Sequence, residues 1–151
     1  MNIAVSTPDT HTAPGADDLS RALGLVRRVD VDPVGRATLE YEAGLHMCHS
    51  GGVVQGGFIS GWLDSAMAHA VIAQTGLEMT PMSLELKVSY FAPVRPGHVV
   101  AEGWIERRGR NTCFAEGRLL GPKGEVLAKA SSTIRLIPRE AVEASARRAL
   151  A

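Results

Sequence analysis

The longest run of apolar and small residues in the chain extends from Phe58 to Ala73, directly after a glycine-rich segment. Within this run, Ala66, Ala70 and Ala73 recur at the spacing that places them on one face of a helix. A row of alanines allows a helix to lie close against another surface, so we expect this helix to pack on a sheet. Gly76 follows the run and is expected to end the helix.

Alternation of apolar and polar positions predicts strands on both sides of this helix. In residues 83–90 the even-numbered positions are apolar or aromatic and the odd-numbered ones are polar, which predicts a half-buried strand with Ser83 on its polar face. Because the last four predicted strands follow one another, we expect an antiparallel meander. The remaining predicted elements are a helical turn at 18–23, strands at 25–30, 34–41, 99–106, 112–120 and 126–137, and a helical tail after residue 138.

One long helix and five to six strands predict a single α+β domain. Two architectures fit this order of elements. One is the hotdog fold, in which a curved antiparallel sheet wraps one long central helix, and the other is a two-layer domain with the helix lying across the sheet. We assign residues 19–138 to this domain, 1–18 to a flexible leader and 139–151 to a polar C-terminal tail.

Charge and composition exclude several classes of function. Sixteen basic residues balance sixteen acidic ones, so no net field favours nucleic acid or an anionic membrane. The apolar helix is interrupted by polar residues such as Asp64 and His69 and is not expected to span a membrane. Two cysteines make no disulfide framework and residues 1–18 do not resemble a signal peptide, so we expect a cytoplasmic protein.

The candidate chemistry lies at the start and in the middle of the predicted helix. Asp64 is its carboxylate, and burying an acid is costly unless something uses it. Gly56 and Gly57 leave backbone N–H groups exposed at the positive end of the helix dipole. A base and an anion-binding N–H on one helix favour catalysis, although Asp64 could also lie at a subunit contact. The cluster of His46, Cys48 and His49 lacks a second pair of ligands, so no metal site is predicted.

The chain resembles the PaaI-like (phenylacetic-acid-degradation-type) branch of the hotdog-fold acyl-CoA thioesterases over roughly residues 20–137. The family has a His-Gly-Gly triplet before its acidic helix, and Gln55 replaces that histidine here. Six residues earlier, where the family tends to have Asn or Gln, this chain has His49. The stretches that carry the resemblance are Gly56-Gly57-Phe58, Leu63-Asp64-Ser65-Ala66, Ser83–Tyr90, Phe91-Ala92-Pro93 and Pro96-Gly97.

The resemblance implies hydrolysis of an acyl-CoA thioester, with coenzyme A as part of the substrate and no separate cofactor. It implies Asp64 as general base or nucleophile, the Gly56 N–H as oxyanion donor and Ser83 as the hydroxyl that holds the water. Since Gln55 and His49 exchange the family's positions, we expect both to point at the thioester. In the family the loop and the acidic helix meet from opposite subunits. A homodimer with interfacial sites is therefore implied, or a dimer of such dimers.

Substrate binding is assigned to residues at the start of the predicted helix and on a basic hairpin, the turn that contains Arg108 and Arg110. The hairpin arginines could contact the phosphates of coenzyme A, and a solvated basic turn is the alternative. The acyl pocket is expected to be lined by Phe58, Trp62 and Met67, and the acyl group itself is left open. The residues assigned to substrate binding are Gly57, Phe58, Arg108, Arg110 and Asn111.

Two other functions fit parts of the pattern. A hotdog hydratase or dehydratase would pair a histidine with an acid, for which His49 and Asp64 are candidates, but its Asp-x-Asn-Pro-x-His run is absent. A non-catalytic acyl-CoA-binding protein of this fold usually has an added pair of DNA-binding helices, and residues 1–20 are too short and polar to supply them. Thioesterase is therefore the predicted activity.

Overall fold

The computed structural model describes residues 16–151, so most of the predicted leader (residues 1–15) lies outside the described part of the chain. The first described element is a helix from Ala16, which overlaps the last residues of the predicted leader. The elements are α1 (Ala16–Ala22), β1 (Leu25–Asp32), β2 (Arg36–Ala43), a 3-10 turn (Leu45–Met47), β3 (Cys48–His49), β4 (Val53–Val54), α2 (Gly56–Thr75), β5 (Met79–Tyr90), β6 (Gly97–Arg108), β7 (Thr112–Leu120), β8 (Val126–Pro138) and α3 (Arg139–Ala149).

Six strands form one antiparallel sheet in the order β1-β2-β6-β7-β8-β5. The sheet curves around α2, which contacts each of these strands. This is the hotdog architecture, so the predicted fold is confirmed. Among the residues that the structure describes, no helix has the length and hydropathy of a membrane span.

The predicted meander is correct for β6, β7 and β8 but wrong for β5, which pairs with β8 at the edge of the sheet. The connection after β5 explains the difference. The N–H groups of Phe91 and Ala92 both donate to Leu127 O at the start of β8, at 2.8 and 3.2 Å. The chain therefore crosses the end of the sheet to reach β6 instead of turning back in a hairpin.

The ends of α2 are set by local hydrogen bonds. Gln55 is the N-cap, and its Oε1 accepts from the Gly57 N–H at 2.7 Å. At the other end Gly76 has φ +77°, a conformation that favours glycine, and its N–H donates to Ile72 O at 2.8 Å. The helix is two residues longer at each end than the apolar run predicts.

The inner face of α2 lies close against the sheet, as the alanine spacing predicts. Ala66 and Ala70 are completely buried, and a Cβ on Gly103 of β6 would overlap the backbone of Ala66. Larger side chains on the same helix fill the space to either side. Trp62 is completely buried, stacks on Tyr41 with ring centroids 5.7 Å apart, and belongs to the core.

A bulge in β5 changes which residues face the helix. The pairing of β5 with β8 shifts register between Ser83 and Glu85, which leaves Leu84 as the extra residue, and Leu84 is 62% exposed. The predicted strict alternation, with Ser83 on the side opposite Leu86, is therefore wrong. The bulge turns Ser83 towards α2, where it meets Asp64.

Candidate active site

The segment before α2 is held by two other parts of the chain. The Gln55 N–H donates to Met47 O at 2.9 Å, which ties the β3–β4 hairpin to the 3-10 turn before it. The Val54 N–H donates to Val94 O at 2.9 Å, which ties the same hairpin to the segment after β5. The start of the helix therefore has a fixed position relative to the end of β5.

Of the first three N–H groups of α2, one is open. A helix start leaves its first N–H groups without intrahelical acceptors. The Gly57 N–H donates to Gln55 Oε1 at 2.7 Å, and the Phe58 N–H donates to Gln55 O at 3.0 Å. The Gly56 N–H has no acceptor among the described residues. Because it lies at the positive end of the helix dipole, it can bind an oxygen on which negative charge develops.

Tyr90, at the end of β5, lies against the same glycine. Its hydroxyl is 3.1 Å from Gly56 O and 2.7 Å from Ser60 Oγ. A Cβ on Gly56 would lie 3.1 Å from both Cζ and Oη of Tyr90, so a side chain there would press on the ring. The sequence analysis did not identify Tyr90 as a site residue. The sequence feature that could have indicated it is an aromatic residue at the end of Ser83–Tyr90, a stretch that carries the family resemblance.

A cavity of about 550 Å³ opens beside Gly56. Its walls are β4, the first turn of α2 and the end of β5 with the segment that follows. The volume is that of a typical small-molecule site. Its lining residues, none of them charged, are Val53, Val54, Gln55, Gly56, Gly57, Ile59, Tyr90, Phe91, Ala92, Pro93 and Val94.

Asp64 lies further along α2, where Ser83 holds it. Ser83 Oγ donates to Asp64 Oδ1 at 2.6 Å, and Ser83 is the residue just before the bulge in β5. No described residue donates to Oδ2, so this oxygen is open to water or substrate. A carboxylate with one oxygen fixed and the other open is suited to accept a proton from a bound water.

The two candidate groups of one chain are far apart. Eight residues separate Gly56 from Asp64 on a continuous helix, and at 1.5 Å per residue this is about 12 Å along the axis. A single thioester carbonyl must contact the N–H donor and the attacking oxygen within about 3 Å of each. The Gly56 N–H and Asp64 of one chain are therefore too far apart to contact the same carbonyl directly.

Gln55 and His49 lie at opposite ends of the β3–β4 hairpin, His49 beside the turn and Gln55 next to α2, and they make different contacts. Gln55 lines the cavity and uses its Oε1 to cap the helix. His49 pairs with Val53, is exposed, does not line the cavity, and its Nδ1–H donates to Ser50 O at 2.8 Å. Within the described residues no hydrogen bond joins His49 to Asp64, so one chain does not form the pair that a hydratase would use.

The cavity beside Gly56 is not lined by the three residues that were expected to line the acyl pocket, Phe58, Trp62 and Met67. Trp62 and Met67 are completely buried in the core, and Phe58 packs against that core without lining the cavity. All three lie on α2, where apolarity alone does not separate core positions from cavity positions. The apolar wall of the cavity comes from β4 and from the segment after β5, and Gly57 also lines it.

The basic hairpin lies at the end of the sheet that carries Ser83. Thr112, just after the hairpin, and Met82 both pair with Arg135 of β8, from opposite sides. The exposed residues of the hairpin are thus two strands, or about 10 Å, from the start of β5. They are near Asp64 and remote from the Gly56 end of the same chain. The hairpin residues assigned to substrate binding are Arg108, Arg110 and Asn111.

His69 has a structural role one turn beyond Ser65. Its Nδ1–H donates to Ser65 O at 2.8 Å, and its Nε2 accepts from Arg28 Nε at 3.1 Å. Burial lowers the pKa of His69, and the carbonyl of Ser65 only partly opposes this. The imidazole is therefore a neutral acceptor for Arg28. Among the described side chains, no group of three or more His, Cys, Asp or Glu residues is placed to hold a metal ion.

Comparison with known proteins places this geometry in a family. Residues 51–128, about half of the chain, match the model of the thioesterase superfamily. A phenylacetic acid degradation-related protein of Ralstonia eutropha JMP134 has 31% sequence identity and a TM-score of 0.72, with 82% of this chain and 92% of that chain covered. No match was found among curated proteins.

Two more distant structures share the fold. The PaaI protein of Escherichia coli, from the phenylacetic acid degradation operon, is 18% identical with a TM-score of 0.74, and 81% of this chain and 86% of that chain are covered. A hypothetical thioesterase of Streptococcus pneumoniae TIGR4, solved with coenzyme A, is 16% identical with a TM-score of 0.69, at 74% and 85% coverage. The family match and the Ralstonia relative show that the chain belongs to the thioesterase superfamily, in its PaaI-like hotdog branch.

Proposed function

We propose that this thioesterase hydrolyses acyl-CoA thioesters. The observation that carries the proposal is that Gly56, whose N–H has no acceptor among the described residues, lines an uncharged cavity of about 550 Å³. A neutral acyl group would fit this cavity with its carbonyl oxygen at the N–H. The coenzyme A in the pneumococcal structure supports coenzyme A as the thiol part of the substrate of this chain.

The reaction needs a base and an anion acceptor. In the proposed mechanism Asp64 Oδ2 removes a proton from water, and the water oxygen attacks the thioester carbon. The oxyanion that forms accepts from the Gly56 N–H, the C–S bond then breaks, and the thiolate takes the proton from Asp64. Attack by Asp64 itself through an anhydride is the second route, and it uses the same oxyanion donor.

Because Gly56 and Asp64 of one chain are about 12 Å apart, we propose that each site is shared between two subunits. β5 is the edge strand that supports this assembly. Its outer edge has no neighbour among the described strands, and it exposes Met82 and Leu84. An exposed apolar edge of this kind favours pairing with a second copy through a twofold axis.

One antiparallel register of such a pairing would bring the two groups together. If two β5 strands pair antiparallel about a centre between Leu86 and Lys87, Tyr90 lies opposite the partner's Ser83. Tyr90 contacts Gly56, and Ser83 holds Asp64. One twofold contact would thus join the oxyanion donor of one subunit to the base of the other.

The same assembly gives the basic hairpin a function. It lies at the Ser83 end of its own subunit, so across the proposed interface it would lie near the partner's cavity. We propose that Arg108 and Arg110 contact the phosphates of coenzyme A, with Asn111 at the same turn. These contacts would add affinity for the coenzyme A part of the substrate and not for its acyl group.

Free-thiol release from a panel of acyl-CoA esters tests the proposed activity. We expect turnover of neutral aromatic or aliphatic acyl-CoA, with kcat/KM at least about tenfold lower for succinyl-CoA, because the cavity would bury its carboxylate without a cationic partner. The N-acetylcysteamine thioester of the best acyl group is the matched control, and its KM is expected to be higher because it lacks the phosphates.

Each contrary result has a distinct meaning. Absence of thiol release from every ester, with acyl-CoA binding retained, would contradict hydrolysis and favour a binding protein. Loss of enoyl absorbance without thiol release would favour a hydratase. Equal KM values for the coenzyme A and N-acetylcysteamine esters would contradict the role of the arginines.

Mixing of two inactive variants tests the shared site. Subunits with Asp64→Asn keep the N–H donor, and subunits with Gly56→Pro keep the base. In an equal mixture about half of the dimers are hybrid, and each hybrid has one complete site of two, so we expect about a quarter of the wild-type activity to return. Thiol release after mixing and re-equilibration of the subunits measures the recovery.

The control is each variant mixed with itself, which should recover nothing. Hybrid dimers are verified by native mass spectrometry with one variant isotopically labelled. If hybrids form and activity stays at the level of the single variants, each site is built within one chain and the shared-site proposal is wrong.

A further inference from the structure

The hydroxyl of Tyr90 connects two points of the first turn of α2. It lies 3.1 Å from Gly56 O and 2.7 Å from Ser60 Oγ. A tyrosine hydroxyl has one proton to donate and can accept another. Both contacts are satisfied if Tyr90 donates to Gly56 O and Ser60 donates to Tyr90 Oη.

The Tyr90 ring restrains the same residue through packing. The position that a Cβ of Gly56 would occupy is 3.1 Å from Cζ and Oη and 3.3 Å from Cε1 of Tyr90. Gly56 is thus contacted at its carbonyl by the hydroxyl and beside its Cα by the ring. The remaining polar group of Gly56, its N–H, has no acceptor among the described residues, and Gly56 lines the cavity.

These contacts matter because glycine is the residue least able to hold its own conformation. An oxyanion donor is effective when it is already oriented before charge develops on the substrate oxygen. The loop before Gly56 is fixed through Gln55, whose N–H and side chain are both bonded. On the helix side, Tyr90 supplies the corresponding restraint.

We propose that Tyr90 is a positioning residue that orients the Gly56 N–H, with Ser60 fixing the Tyr90 hydroxyl. This inference rests on the proposed thioesterase mechanism. It assigns Tyr90 no proton transfer with the substrate, and it predicts an effect on kcat and not on substrate affinity. Tyr90 also forms part of the cavity wall, so the test must separate the hydroxyl from the ring.

Tyr90→Phe removes the hydroxyl and keeps the ring. We expect the single-turnover rate of thioester cleavage to fall about tenfold, and KM to change less than twofold, because the lost hydrogen bond orients a group that acts in the transition state. Ser60→Ala is expected to give a smaller decrease in the same direction. The double variant should be no slower than Tyr90→Phe, since both changes remove one connected pair of bonds.

Ser89→Ala is the matched control. Ser89 precedes Tyr90 on the same strand, but it faces the outer side of the sheet beside Lys87 and Lys129. Removing its hydroxyl should leave the single-turnover rate unchanged. Urea unfolding of every variant measures stability, so that a loss of fold is distinguished from a loss of orientation.

NMR relaxation of the Gly56 amide gives a readout that does not depend on turnover. We expect Tyr90→Phe to increase the mobility of this N–H relative to the amides later in α2, and Ser89→Ala to leave it unchanged. Wild-type rates and wild-type Gly56 mobility in Tyr90→Phe would overturn the inference. That result leaves the proposed function intact, because failure of the function appears in the wild-type protein as absence of thiol release.

Discussion

Asp64→Asn is expected to lower kcat by about a hundredfold or more without altering the fold. Asparagine has nearly the same shape, and its Oδ1 can still accept the Ser83 hydroxyl, which lies 2.6 Å from Oδ1 in the wild-type protein. The amide nitrogen that replaces Oδ2 cannot accept a proton from water and cannot attack a thioester. Both proposed routes therefore fail in this variant, and thiol release from the best acyl-CoA measures the loss.

Ser83→Ala is the comparison that isolates the positioning contact. It leaves the carboxylate in place and removes only the hydrogen bond to Oδ1, so a smaller decrease of about tenfold is expected. If Asp64→Asn turned over substrate at the wild-type rate, the base would lie elsewhere and Asp64 would be a helix-surface acid. If Ser83→Ala were slower than Asp64→Asn, the serine and not the aspartate would be the reacting group.

Much of the fold could be predicted because its signals are local. The spacing of Ala66 and Ala70 identifies the face of α2 that approaches the sheet, and both are completely buried. Gly76 ends the helix through its own backbone conformation, at φ +77°. Alternation along the later strands likewise depends on the residues of each strand alone.

The two main errors concern contacts between distant parts of the chain. The edge position of β5 depends on bonds from Phe91 and Ala92 to Leu127, more than thirty residues later. The orientation of Ser83 depends on a bulge against β8, which shifts the register without leaving a sign in the alternating pattern. Neither partner can be identified from the segment itself.

In the candidate site, too, local features could be predicted from the sequence and contacts between distant segments could not. The interval between Gly56 and Asp64 is a sequence property, and on a helix it becomes a separation of about 12 Å along the axis. Tyr90 is thirty-four residues from Gly56, and its contact with that glycine could not be predicted from spacing. The cap by Gln55 is a local contact, with the N–H two residues later, but the resemblance implies a role at the thioester for this position and not a helix cap.

Gly56→Pro is expected to lower kcat by about 10²–10³, the usual cost of one lost oxyanion donor. Proline deletes the N–H and nothing else that the helix needs, because Gly56 is the first helical residue and proline is favoured there. Gln55 before it has φ −66° and ψ 136°, the extended conformation that a residue before proline adopts. The single-turnover rate of the best acyl-CoA ester measures the loss.

Gly56→Ala is the matched control for the crowding that proline introduces. Both substitutions place a Cβ about 3.1 Å from the Tyr90 ring, but alanine retains the N–H. We expect Gly56→Ala to lose less than about tenfold, since a shift of the ring by a few tenths of an ångström relieves the contact. Equal losses in the two variants would show that crowding of Tyr90 and not the missing N–H causes the defect. A Gly56→Pro variant that folds and retains wild-type turnover would remove this N–H from the mechanism and leave the oxyanion to a donor elsewhere in the site.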